Sequence, residues 1–170
     1  MRIPDVLLSS HLYFSYGQFL VYDASVDMPG LDWRDEHVLQ GFARRQSVVN
    51  VGTLHEFGNA DLTVYLGDHL TLKAYDRIIA VPFTVLSGKV KIEGPEEFDR
   101  NKSVFLQNGD YRLVIAQLNI GEEFKDDKQE AIDLFFESPI GSVVHAEILR
   151  ADRMMKCPTQ LVEDADIAQV

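Results

Sequence analysis

SVFLQNGDYRLVIAQLNI, residues Ser103 to Ile120, sets two β-rich runs around Asn108-Gly109-Asp110. Asn-Gly between such runs is a strong short-range signal for a tight chain reversal. The stretch predicts a hairpin, and a hairpin here makes the chain an antiparallel β protein.

The same pattern extends outward from it. Upstream, LSGKVKIEG (Leu86–Gly94) places Ser87-Gly88 as a second hairpin turn, leading into a strand over Lys89–Glu93. SYGQFLVYD (Ser15–Asp23), SVVNVGTL (Ser47–Leu54), ADLTVYLG (Ala60–Gly67) and DRIIAVPFTV (Asp76–Val85) read as strands. Pro82 requires an edge or a bulge in the last of these, because proline has no N–H to give to a ladder. Downstream, AIDLFFES (Ala131–Ser138) and SVVHAEILR (Ser142–Arg150) flank Pro139-Ile140-Gly141. Many short strands at close spacing, without alternating βα units, predict an all-β fold, an antiparallel β-sandwich with one short α-helix. One domain over residues 1–170 is expected, with a poorly patterned acidic tail after about Ala151 and a charged, exposed connection at Gly121–Ala131.

The helix falls in GLDWRDEHVLQGFARRQ, Gly30 to Gln46. Asp32 is placed to cap it, with Asp35 and Glu36 in the first turn, where the positive end of the helix dipole favours acids. Val38, Leu39 and Phe42 fall on one stripe, and Gly41 keeps the helix short, over about residues 33–44. Trp33 is read as closing the sandwich with Val38 and Phe42, its indole N–H satisfied by a carbonyl. The alternative is an interface anchor inside an acidic rim.

The formal net charge of −11 opposes direct nucleic-acid binding, which depends on Lys and Arg neutralising phosphates. It favours a basic protein partner. Cys157 is the single cysteine, which excludes an intrachain disulfide and a multi-cysteine zinc site. The N-terminal stretch lacks the pattern of a secretion signal, and no segment has membrane-spanning length, so a cytoplasmic protein without membrane insertion is expected.

No phosphate-binding loop, nucleophile elbow or His-Glu-x-x-His run occurs. His55, Glu56 and Asp61 lie close in sequence, the raw material of an acid–base or metal trio, but a polar loop between strands explains them as well. We expect no catalytic residues, no metal and no cofactor.

SYGQFLVYD, then LDWRDEHVLQGFA, then VPFTV with a short hairpin, then GDYRL, in this order, resemble the competence protein J family. The resemblance runs from about Ser15 to about Gln117, with Asp-Trp-x-Asp-Glu as its most specific part. It implies a small β-sandwich without catalytic residues that binds and silences a DNA-entry nuclease, and a kinship with immunity partners of nuclease toxins. It carries no residue-level site. The partner-binding residues Asp27, Asp32, Trp33, Asp35 and Glu36 are therefore inferred from charge, with Glu93–Asp99 and Glu122–Glu130 as alternative segments.

Two other functions compete. One is a hydrolase using His55, Glu56 and Asp61. The other is a carbohydrate- or peptide-binding module stacking ligands on Tyr13, Tyr16 and Tyr65.

Overall fold

A computed structural model describes residues 3–96, 100–138, 144–152 and 161–168. Eleven strands and one helix follow in chain order: β1 Asp5–Phe14, β2 Gln18–Asp23, α1 Asp35–Gln40, β3 Phe42–Arg45, β4 Val48–Gly52, β5 Gly58–Leu66, β6 Arg77–Val85, β7 Lys89–Glu93, β8 Lys102–Phe105, β9 Gly109–Asn119, β10 Glu130–Glu137 and β11 Glu147–Arg150. They form two sheets, one ordered β1-β5-β10-β9-β6-β11 and the other β3-β4-β2-β7-β8. All pairings are antiparallel except β10 on β5, which run parallel from Glu130↔Ala60 to Phe136↔Leu66.

The opening stretch is not a hairpin. β8 belongs to the second sheet, paired with β7, whereas β9 lies in the first sheet between β10 and β6. Asn108-Gly109 carries the chain from one sheet to the other. Ser87-Gly88 does the same between β6 and β7, so the second expected hairpin is also corrected. The two crossings brace each other, with Leu106 N–H donating to the Gly88 carbonyl at 3.1 Å. The buried Asp23 carboxylate accepts from the Leu86 and Ser87 N–H groups at 2.8 and 3.0 Å. The physical reason is burial. Val85, Val90, Val104 and Leu106 all enter the core between the sheets, which a flat hairpin would not permit.

That core contains Phe14, Phe19, Val51, Leu62, Val81, Phe83, Leu113, Ile115 and Phe136, contributed by alternate positions of both sheets. Phe136 meets Phe83 and Tyr111 edge-on at 5.8 and 5.9 Å. β10 is buried along its whole length. Its second face lies under the segment before β6, where Lys73 and Tyr75 bond the buried Asp133 carboxylate. β6 is an inner strand between β9 and β11, and its register with β9 passes Pro82 without a shift; among the described residues its pairing with β11 covers Ile78–Ala80, short of Pro82.

β1 was not legible in the sequence. It is a ten-residue strand at the edge of the first sheet, with a register shift between Val6 and Leu8. The last strand is shorter than expected, covering Glu147–Arg150. Pro139-Ile140-Gly141 and Cys157 lie outside the described residues.

Candidate partner interface

The expected helix exists but is turned differently. Arg34, not Asp32, precedes its first turn, and its N–H donates to His37 Nδ1 at 2.9 Å. Gly41, at φ +87°, ends it in the left-handed conformation that glycine adopts most easily. Phe42 therefore belongs to β3, and the apolar stripe does not form. Val38 is 65% exposed and Leu39 is exposed too, while His37 and Gln40, one turn apart, face inward. Trp33 is half-buried against the cluster of Tyr22, Leu31, Ala43, Val48 and Ala165 on the outer face of the second sheet. It does not plug the sandwich end with Val38 and Phe42. Its indole N–H is buried and has no hydrogen-bond partner among the described residues, against the expected carbonyl.

The polar face of α1 receives the chain's own tail, which the sequence left without a role. Gln40 Nε2 donates to the Val162 carbonyl at 2.8 Å, and Val162 N–H returns a bond to Gln40 Oε1 at 2.9 Å. His37 Nε2 lies 3.2 Å from the Asp164 carbonyl; with Nδ1 accepting from Arg34, the ring carries its proton on Nε2. Ala165 N–H donates to the Arg44 carbonyl and Ala168 N–H to the Gly30 carbonyl, so residues 161–168 run between β3 and Gly30–Asp32. Arg44 is buried in this seam, and desolvation pulls its pKa down while Asp164 and Glu163 oppose it.

Asp27, Asp32, Asp35 and Glu36 are all exposed, and the docked tail adds exposed Asp164 and Asp166. This surface is not uniformly acidic. A groove of about 670 Å³ beside it is lined by Arg34 and Arg45 as well as Asp164 and Asp166.

The competing sites do not assemble. His55 Nε2 meets Asn119 Oδ1 at 3.0 Å, Glu56 is exposed, and Asp61 points to Lys128 at 2.5 Å and His11 at 3.7 Å. Among the described residues, no three His, Cys, Asp or Glu side chains are grouped to hold a metal ion. Tyr13, Tyr16 and Tyr65 form no row, since Tyr65 is stacked on Phe135 at 4.7 Å and Tyr16 occupies the turn between β1 and β2. Of the alternative acidic segments, Glu93 is buried and accepts from the Tyr22 hydroxyl at 2.8 Å, with Glu97–Asp99 outside the described residues. The Glu122–Glu130 segment exposes Phe124 among its charges, and the sequence signal for it was a lone aromatic in EEFKDD.

The profile of the competence protein J family matches residues 11–137. The chain belongs to that family. The match covers β2, α1, β4 and the inter-sheet crossings, and leaves β11 and the tail outside. The DNA-entry nuclease inhibitor of Bacillus subtilis strain 168 is 28% identical over 103 residues, 61% of this chain and 76% of that protein. The crystal structure of ComJ from Bacillus subtilis, inhibitor of the DNA-degrading activity of NucA, superposes with a TM-score of 0.68 at 23% identity, covering 81% of this chain and all of that one. A structure named crocagin biosynthetic gene J gives a TM-score of 0.53 at 16% identity, over 79% of this chain and 98% of that one. These two likenesses establish the shared fold.

Proposed function

We propose that this family member is a non-catalytic, cytoplasmic inhibitor that binds a basic, DNA-degrading nuclease and keeps DNA out of its groove. The observation that carries the reading is the family match, which spans the sandwich and α1. The related inhibitor of Bacillus subtilis agrees with it.

The physics is direct. A nuclease groove must be positive to hold DNA, and a protein of net charge −11 is drawn towards it and competes with phosphates for the same cations. In this reading Asp27, Asp32, Asp35 and Glu36 present carboxylates to that groove, and Trp33, packed beneath them, keeps the turn in place. The buried polar contacts of α1 with residues 161–168 make the turn a rigid platform.

The test uses the NucA-type nuclease of the same organism, purified, with degradation of linear DNA as readout. The wild-type protein is expected to abolish degradation at stoichiometric amounts. Asp35→Asn with Glu36→Gln preserves side-chain shape and is expected to slow association and flatten its salt dependence. If the folded double variant associates as fast as wild type at low salt, the acidic-turn placement is wrong.

A further inference from the structure

Three aromatic side chains from three separate connections meet at one end of the sandwich. Tyr16 lies between β1 and β2, Phe57 between β4 and β5, and Phe124 between β9 and β10. The Tyr16 and Phe57 ring centroids are 6.1 Å apart, and those of Phe57 and Phe124 are 6.3 Å apart. Tyr16 is 72% exposed and Phe124 is 86% exposed. One exposed aromatic residue is ordinary, but a connected group drawn from three loops is a local concentration of apolar surface.

The backbone holds the outer two against their preference. Tyr16 at φ +56° and Phe124 at φ +64° are the two non-glycine residues with positive φ among the described residues. Bulky side chains disfavour that region. In the Tyr16-Gly17 turn both central φ angles are positive, a geometry that Asn, Asp and Gly adopt far more readily than Tyr. Neither ring is repaid by burial, so core packing does not explain the choice of residue.

The loops are also fastened. Gly17 N–H donates to the Glu56 carbonyl and Thr53 N–H to the Gly17 carbonyl, at 2.8 and 2.9 Å. Glu123 Oε1 accepts the Phe57 N–H at 3.1 Å, joining the second and third connections. Two successive buried residues finish the frame. Gln129 Nε2 donates to the Asp126 and Glu122 carbonyls, and Glu130 Oε2 accepts the Leu54 and His55 N–H groups. The rings are thus presented by ordered backbone, which lowers the entropy cost of binding.

The surroundings select the partner. Exposed Glu56 adjoins Phe57 in the chain, exposed Glu122, Asp126 and Asp127 share the connection that carries Phe124, and the neighbouring Lys125 is paired with Glu122 at 2.9 Å. The rings are tilted by 59° and 36° to one another, so they form no flat platform for a sugar face. An apolar centre with an acidic rim fits a basic protein that has an apolar recess, whereas a second copy of this chain would bring like charge against like.

We propose that Tyr16, Phe57 and Phe124 are the anchor by which this chain retains its nuclease, a proposal that rests on the inhibitor reading above. Long-range charge sets the rate of approach, and the aromatic anchor sets the rate of departure. The end of α1 reaches the same end of the sandwich, because Gly52 N–H, next to the second connection, donates to the Gly41 carbonyl at 2.8 Å.

Phe124→Gly separates anchor from scaffold, because glycine accepts φ +64° freely. Association, dissociation and thermal unfolding are measured for wild type, Phe124→Gly and Phe124→Tyr against the same NucA-type nuclease. The expected result is dissociation faster by about tenfold or more for Phe124→Gly, unchanged association and salt slope, an equal or higher Tm, and near-wild-type dissociation for Phe124→Tyr. A lower Tm with unchanged dissociation makes the cluster structural and overturns the proposal. So does sedimentation showing a wild-type dimer that Phe124→Gly dissociates. If wild type inhibits and Phe124→Gly dissociates at the wild-type rate, the anchor alone is refuted. If wild type neither binds nor inhibits, the inhibitor reading itself falls.

Discussion

Glu130 offers a test of how this end of the sandwich is built. It opens β10 with its side chain fully buried. Oε2 accepts two backbone N–H groups, from Leu54 at 2.9 Å and His55 at 3.1 Å, while Oε1 is buried and has no partner among the described residues. Burial pushes the carboxyl up to about 7, against the opposing pull of those hydrogen bonds and of His55 and Arg77. Below the ordinary value of 4.5, folded and unfolded chains are both protonated here, and the group adds no pH dependence. Between 4.5 and about 7 the folded chain keeps a proton that the unfolded chain has lost, so stability falls as pH rises. Above that window the whole penalty is present. At about 1.4 kcal/mol per pH unit it amounts to about 3 kcal/mol. Glu130→Gln cannot ionise and keeps one oxygen for the two N–H groups. Urea unfolding of both proteins from about pH 5 to about pH 8.5 isolates this group, because every other titration is common to both. The variant should gain on wild type by about 3 kcal/mol across that range. A stability difference that stays flat with pH would refute the reasoning, and would mean that water reaches the carboxylate.

Two further changes probe the frame. Arg77 is buried, paired with Asp152 at 2.6 Å, and reaches across to the Gly52 carbonyl of the other sheet at 2.7 Å. Asp152→Ala leaves that guanidinium without its carboxylate and should cost about 3–5 kcal/mol in chemical unfolding. Gln40→Ala removes both bonds to Val162 and one to the Phe42 carbonyl. It should cost about 1–3 kcal/mol and speed hydrogen exchange at Val162 and Ala165, while leaving exchange in β9 and β10 unchanged.

The proposed partner surface was legible only in part. The acids of the α1 turn are exposed as charge and dipole predict, since solvation keeps unpaired carboxylates outside. What lies beneath them was not legible. His37 and Gln40 are polar residues; besides local bonds to Arg34 and Phe42, both reach the backbone of a tail more than 100 positions away, which no local pattern foretells. Tyr16, Phe57 and Phe124 are scattered along the chain, and no periodicity relates residues on three different loops.

A β protein with one short helix is readable from local pattern alone, because side-chain alternation and turn residues act over a few neighbouring positions. The net charge of −11 is likewise read directly from composition. Which strands pair is not local information. Asn108-Gly109 and Ser87-Gly88 do separate strands, but a hairpin within one sheet and a crossing between two use the same turn residues. The choice rests on where Val85, Val90, Val104 and Leu106 are best buried, and that depends on a facing sheet built from distant segments.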